Sequence, residues 1–336
     1  NNIVGTTGGS PGIAGANNRA LNLESINLTG APAIDFDASS GVLSDVKLTG
    51  NGYGTALISH HGRYSDSLRL HGLEISNYAV GIDLHADGPD TTAPLMVADA
   101  LISASTSLSI EDYSMIINNA IIVGNVEISG AINVDFVDSD LTQEISIYDG
   151  ASACLYQTVE FTAKYLDIVK PTSFEITLLY SNGTTENFVI EDTLAELAVK
   201  LETKYAQQSF DVTIQSLEIN ANSAGHPPES QSLTYGEIIQ LESTIIFTLR
   251  DNQPPQVDSL SPTEIDTIMQ TIPFVSTINA TDDYDLPSQM NYQWVITDNT
   301  GSLVYSASSV NYSNSITISL PGSYFLRVVV TDSFQA

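Results

Sequence analysis

The sequence predicts an all-β protein in which a solenoid of short stacked strands is followed by two β-sandwiches. Three observations carry this expectation. Apolar and polar residues alternate over only three to five positions at a time, as in INL, VKL and LEI, then IDF, IDL and LSI. That is period two, the pattern of a strand with one buried face. The segments recur in pairs up to residue 168, with Gly, Asn, Asp and Ser filling the gaps and no helical period in any gap. Beyond Lys170-Pro171 the apolar runs lengthen and hairpin-type turns appear.

The paired segments define two columns. First members centre on Leu28, Leu48, Ile75, Ile102, Ile122, Leu141 and Phe161, at spacings of 20, 27, 27, 20, 19 and 20 residues. Second members centre on Phe36, Ile58, Leu84, Ile110, Ile128, Ile147 and Ile168. Strands this short cannot bury their inner faces within one repeat, whereas turn-on-turn stacking buries a continuous column and pairs the backbone above and below. An antiparallel sandwich with a hairpin every ~10 residues is the alternative. Sparse Asn-Gly turns and seven ordered pairs argue against it. With these residues in place, residues 1–170 resemble the right-handed parallel β-helix, the pectate-lyase-like solenoid.

Residues 171–252 read as a small β-sandwich. Strands over 174–180 and 187–190 flank the turn Ser181-Asn182-Gly183, with further strands over 210–220 and 238–250. The stretch ELAVKLETKY at 196–205 fits both a helical stripe and strand alternation, and its β surroundings favour a strand. Asp251-Asn252-Gln253-Pro254-Pro255 then forms a linker, because its two prolines break any sheet. Residues 253–336 carry strands over 274–280, 290–297, 303–306, 315–320 and 324–331. The motif INATDDYD at 278–285, Trp294 in YQWVI and the closing PGSYFLRVVVTDS resemble the PKD and cadherin-like immunoglobulin folds of prokaryotic surface proteins. Trp294 is expected to fill the core of that sandwich.

Charge excludes several functions. With 40 acidic and 10 basic residues among 336, the formal charge is −30, which repels nucleic-acid backbones and anionic lipid. No apolar run is long enough to span a membrane, so no direct membrane insertion is expected of this segment. The single Cys154 rules out a disulfide framework and a CxxC pair. The lack of an initiator Met and of a leader at 1–15 makes the chain read as part of a longer precursor. Scarce Lys, abundant Asn, Ser, Thr and Tyr, and four N-x-S/T sequons suit an extracellular or cell-surface location.

Two groups of residues invite a chemical reading. The gaps leading to the third and fourth turns are the longest, so loops 59–67 and 85–94 should stack on one side. They would gather His60, His61, Arg63, Tyr64, His85 and Asp87 with Asp66 and Asp90, a mix able to hold a divalent metal or a sugar. Two ordinary polar surface loops are the plainer explanation. In the terminal domain Asp251, Asp282, Asp283, Asp285 and Asp332 lie at linkers or strand ends. There the cadherin-like resemblance implies Ca²⁺ as the one candidate cofactor.

Catalysis is not expected. A uronate lyase needs convergent cations, and the solenoid offers only Arg19, Lys47, Arg63, Arg69 and Lys164. The outward acidic ladder Asp35, Asp83, Glu127 and Asp167 could supply paired carboxylates but is interrupted at Leu57, Ser109 and Ser146. No GxSxG, P-loop, HExxH or Rossmann motif occurs. The expected function is that of a fragment of a large structural or adhesive surface protein whose partner is a cell-surface glycan or protein. A carbohydrate-active β-helix, lyase or glycoside hydrolase, or non-catalytic carbohydrate binding, is the alternative.

Overall fold

The computed structural model describes residues 2–4, 13–16, 21–30, 32–37, 41–61, 68–206, 211–241, 244–262, 272–282 and 285–333. The chain is nearly all β, with one short helix at Tyr235–Ile238 among the described residues. Up to residue 155 it winds in successive passes, each pairing in parallel with the passes before and after it. The first column runs in strict register from Leu28 through Leu48, Ile75, Ile102 and Ile122 to Leu141. Leu28, Leu48, Ile75, Ile102 and Ile122 are buried and belong to one apolar core.

The second column differs from the expectation at one pass. The expected line runs in register from Phe36 through Leu84, Ile110 and Ile128 to Ile147, but Ser59, not Ile58, stands between Phe36 and Leu84. Leu57 turns inward in the line beside it, between Ile34 and Ile82, which continues through Leu108 and Val126 to Ile145. Ile58 faces outward between Asp35 and Asp83. The outward line is therefore Asp35, Ile58, Asp83, Ser109, Glu127 and Ser146, and Asp167 lies outside it, in the turn after Tyr165. ALI is apolar throughout, so alternation within that segment could not say which residue points inward.

A third column was not anticipated. Leu23, Leu43, Leu70, Val97, Ile117, Phe136 and Leu155 pair in order, so each pass is three-sided. Its hallmark is the corner that follows. Ser25, Asp45, Gly72, Asp99, Asn119 and Asp138 each stand two residues past a third-column side chain and adopt φ between 47° and 63°. The corner N–H donates to a carbonyl of the next pass, as from Asp45 to His71 (3.0 Å), Gly72 to Ala98 (3.0 Å) and Asp99 to Asn118 (3.1 Å). Asp, Asn and Gly tolerate this left-handed conformation best, which explains the small polar residues at this point of every pass.

The stack ends one pass earlier than expected. Phe161 does not continue the first column: it pairs with Ala195 and Ile245 and joins a second core. There its ring meets Phe174 edge-on at 4.9 Å. Ile168 is 62% exposed in an antiparallel return beside Tyr165. The strand Ser152–Tyr165 therefore serves both regions, its first half pairing with the last pass and residues 152–162 with Leu194–Tyr205.

Around the second core the pairing is largely antiparallel. Thr172–Tyr180 lies between Thr185–Asp192 and Val212–Asn222, and Glu229–Thr234 extends the same sheet. ELAVKLETKY is strand, with Val199, Leu201 and Thr203 turned inward. The strand expected over 238–250 is confined to Ile245–Thr248, preceded by the helical turn Tyr235–Ile238 with its Thr234/Glu237 capping box. A third core gathers Met290, Tyr292, Trp294, Ile296 and Ile316 between two three-stranded sheets. Trp294 is fully buried there, as expected.

The second-column register has a direct test. Leu57→Ser buries a hydroxyl in the stack and should cost about 3–5 kcal/mol. Ile58→Ser only matches Ser109 and Ser146 on the outer face and should cost less than about 1.5 kcal/mol. Urea unfolding followed by far-ultraviolet circular dichroism would separate the two. Equal losses would reverse the assignment of faces.

Candidate functional site

The long third-pass strand Glu74–Ala98 places His85 on the outer face of the second column. Its backbone stands in register between His60 and Glu111, and Ala86 stands beside His61. The expected side-by-side placement of the two His-bearing segments is thus present in the backbone at 60–61 and 85–86. Arg63, Tyr64 and Asp66 lie outside the described residues, as do the side chains of His60, His61, Asp87 and Asp90.

His85 itself is engaged on both ring nitrogens. Nε2 lies 2.9 Å from Asp83 and Nδ1 lies 2.8 Å from Glu111. A general base needs a free nitrogen facing substrate, and this ring has none. It works as a cross-brace between the third and fourth passes. Because all three side chains are partly exposed, the brace contributes at most about 1 kcal/mol. His71 stands apart, its Nε2 2.8 Å from Asp99 at the left-handed corner.

Among the described residues Lys47 and Arg69 do not converge either, and Arg19 and Arg63 lie outside them. Lys47 is paired with Glu74 on the first-column face. Arg69 belongs to the third column, in register with Val42 and Met96. Among the described residues no three His, Cys, Asp or Glu side chains gather to hold a metal ion.

The acidic group of the terminal region divides. Asp251 accepts from the Tyr165 hydroxyl at 2.6 Å. Asp285 is buried and accepts from both the backbone N–H and the hydroxyl of Ser333. Asp282 accepts from the Asp285 N–H at 2.7 Å, and buried Asp332 accepts from Asn252 Nδ2 at 2.6 Å. These carboxylates tie the start of the last region to its final strand through internal donors. A Ca²⁺ site would need six to eight oxygens converging on one point. Asp283 lies outside the described residues. Sequence reasoning missed Asn252 and Ser333, because an Asn in a linker and a Ser at a chain end carry no signal of their own.

A polar seam joins the stack to the second core. Asp135, Cys154 and Thr203 stand in one register line. Asn133 donates to Asp135 and accepts from Ser152 Oγ at 2.9 Å. Lys200 pairs with Glu186 at 2.7 Å and lies 5.3 Å from the Tyr180 ring. Burial holds the Asp135 carboxyl above the usual carboxylate range, against the opposing pull of Asn133 and Lys200. Burial also pushes the Cys154 thiol up, which disfavours its thiolate.

Concave surface occurs elsewhere, at the corner between the first and second columns. A trough of about 730 Å³ is lined by Asn77, Tyr78, Ser103, Ser105, Asn125 and Gln143 with the backbone of 123–124. A smaller hollow of about 380 Å³ shares Gln143 and adds Glu144 and Lys204. Neither was anticipated. The legible signal was the shrinking interval between paired apolar segments, from nine residues between Leu48 and Leu57 to four between Ile122 and Val126. No known protein-family model matches this chain, and no curated protein matches it in sequence.

The seam yields a pH prediction. A carboxyl whose folded pKa is raised favours folding below its unfolded value of about 3.9 and loses that contribution as pH rises through the folded value. Asp135→Asn should therefore stabilise the protein at pH 7 more than at pH 4. Thermal unfolding at both values would show it, and an equal effect at both would refute the assignment.

Proposed function

We propose that the chain is a rigid structural and adhesive module of a large secreted or cell-surface protein. In this reading residues 1–170 are a right-handed parallel β-helix, 171–252 a small sandwich and 253–336 a PKD- or cadherin-like immunoglobulin-type sandwich. The observation that carries it is the unbroken parallel ladder from Leu28 to Leu141, joined to the second core through the shared strand Ser152–Tyr165. A ladder that passes from one core into the next without a flexible linker resists bending and presents a long lateral surface. A charge of −30 keeps such a surface soluble and discourages association with nucleic acid or anionic lipid.

Carbohydrate binding without turnover is the second reading. It is favoured by the open trough lined with amides and hydroxyls. Hydrolysis or elimination has less support, since His85 and Lys47 are both tied to carboxylates. Ca²⁺ at the terminal acidic residues is the one cofactor this reading admits.

Two measurements test the adhesive reading. Small-angle scattering of the whole chain should give an elongated particle. Beads coated with it should be retained on glycan- or protein-coated surfaces under flow, above an albumin control. Release of reducing ends, or of unsaturated uronate absorbing near about 235 nm, from a polysaccharide panel would replace it with the enzyme reading.

A further inference from the structure

We propose that the trough between the first and second columns is a binding site for an extended, uncharged glycan. The inference rests on the adhesive reading and names the surface through which adhesion would act. Its shape comes from the corner lengths. Nine residues separate Leu48 from Leu57, seven Ile75 from Ile82 and six Ile102 from Leu108, but only four Ile122 from Val126 and Leu141 from Ile145. The corner therefore projects at the second pass and recedes by the fifth, leaving a step along the stack. The lining residues come from four consecutive passes, so the trough spans about 14 Å at the ~4.8 Å spacing of paired strands. Its volume of about 730 Å³ falls within the ordinary range of ligand sites.

The lining chemistry selects the ligand. Asn125 and Gln143 supply amides and Asn77 an amide oxygen, its Nδ2 donating to the Gly50 carbonyl at 2.9 Å, while Ser103 and Ser105 supply hydroxyls, and no cation or carboxylate lines the trough. Amides and hydroxyls both donate and accept, which matches the hydroxyl pairs of a sugar. Elsewhere on the stack such groups are spent internally. Ser107 donates to the Val123 carbonyl, Thr142 to that of Ile122, and Asn119 to Asp99. The side chains of Ser103, Ser105, Asn125 and Gln143 take part in no hydrogen bond within the described residues, and so remain available along the trough. Anionic polymers are repelled by the −30 charge, and a cationic ligand would find no carboxylate in the lining.

Apolar surface borders the trough on one side. Val123, Leu101 and Ile121 are 39–47% exposed on the first-column face and offer contact to the C–H faces of sugar rings. At the projecting end, Tyr53 is 77% exposed, on a corner held to Asn77 by hydrogen bonds at Gly50 and Gly52. The floor is preformed. Gly124 has φ 132°, and a Cβ there would lie 1.9 Å from the Ala104 carbonyl oxygen, so only glycine fits. A floor fixed before binding lowers the ordering cost of association.

Calorimetric titration of the full chain with cellohexaose, xylohexaose, mannohexaose and laminarihexaose, beside hexagalacturonate, tests the site. At least one neutral hexaose should bind with a submillimolar Kd. Asn125→Ala and Gln143→Ala should each weaken it about fivefold, and Ser105→Trp should abolish it by filling the trough. The two alanine variants remove only uncommitted side chains and should unfold thermally like the wild type. Failure of all four neutral probes at about 5 mM overturns the proposal. Equal or tighter binding of hexagalacturonate does so too. A neutral hexaose whose affinity none of the three variants changes sits elsewhere, which sinks this site and leaves the adhesive reading standing. Trough binding without bead retention would sink that reading instead.

Discussion

Register between passes is the constraint on which the rest of this structure depends. A strand of three or four residues has too little area to hold itself together, so each pass is stable only as far as it pairs with its neighbours. The left-handed corner after the third column makes that pairing repeatable. In six passes a residue with φ between 47° and 63° follows the third-column side chain at a fixed interval, and five residues separate that side chain from the next first-column one, as from Leu43 to Leu48 or Val97 to Ile102. The corner N–H is paired across the pass boundary, so the bend is satisfied and locked together.

The two other corners are free to vary, and they carry the features that distinguish one pass from another. The interval between the second and third columns accommodates the long His-bearing strand of the third pass. The interval between the first and second shortens along the stack and opens the trough. A chain that holds one corner constant can change the other two without disturbing its core, because the buried columns are fixed by pairing and not by loop length. Loops on such a scaffold are where binding surfaces arise.

Polar chemistry follows the same division. On the stack, acids and imidazoles brace one pass to the next, as His85 does between Asp83 and Glu111. At the joints they tie regions together, as Asp285 and Asp332 do in the terminal part and the Asp135 seam does beside the second core. Most charged groups described here therefore do structural work. The uncharged trough stands apart in having donors and acceptors left over.

The sequence by itself determined the all-β class, the first column, the strand at 194–205 and the burial of Trp294. Each follows from period-two alternation, which the pleat imposes locally whatever the chain packs against. It also contained the third column, visible afterwards in the constant five-residue step, but hidden because segments such as MVA and IIN are too short to alternate. Only the tertiary structure decided that Leu57 and not Ile58 turns inward, that Phe161 leaves the stack for the second core, and that His85 lies between two carboxylates. It alone revealed the trough. Those outcomes depend on which pass lies against which, and residues brought side by side by stacking are 18 to 27 positions apart in the chain, beyond the reach of any local pattern.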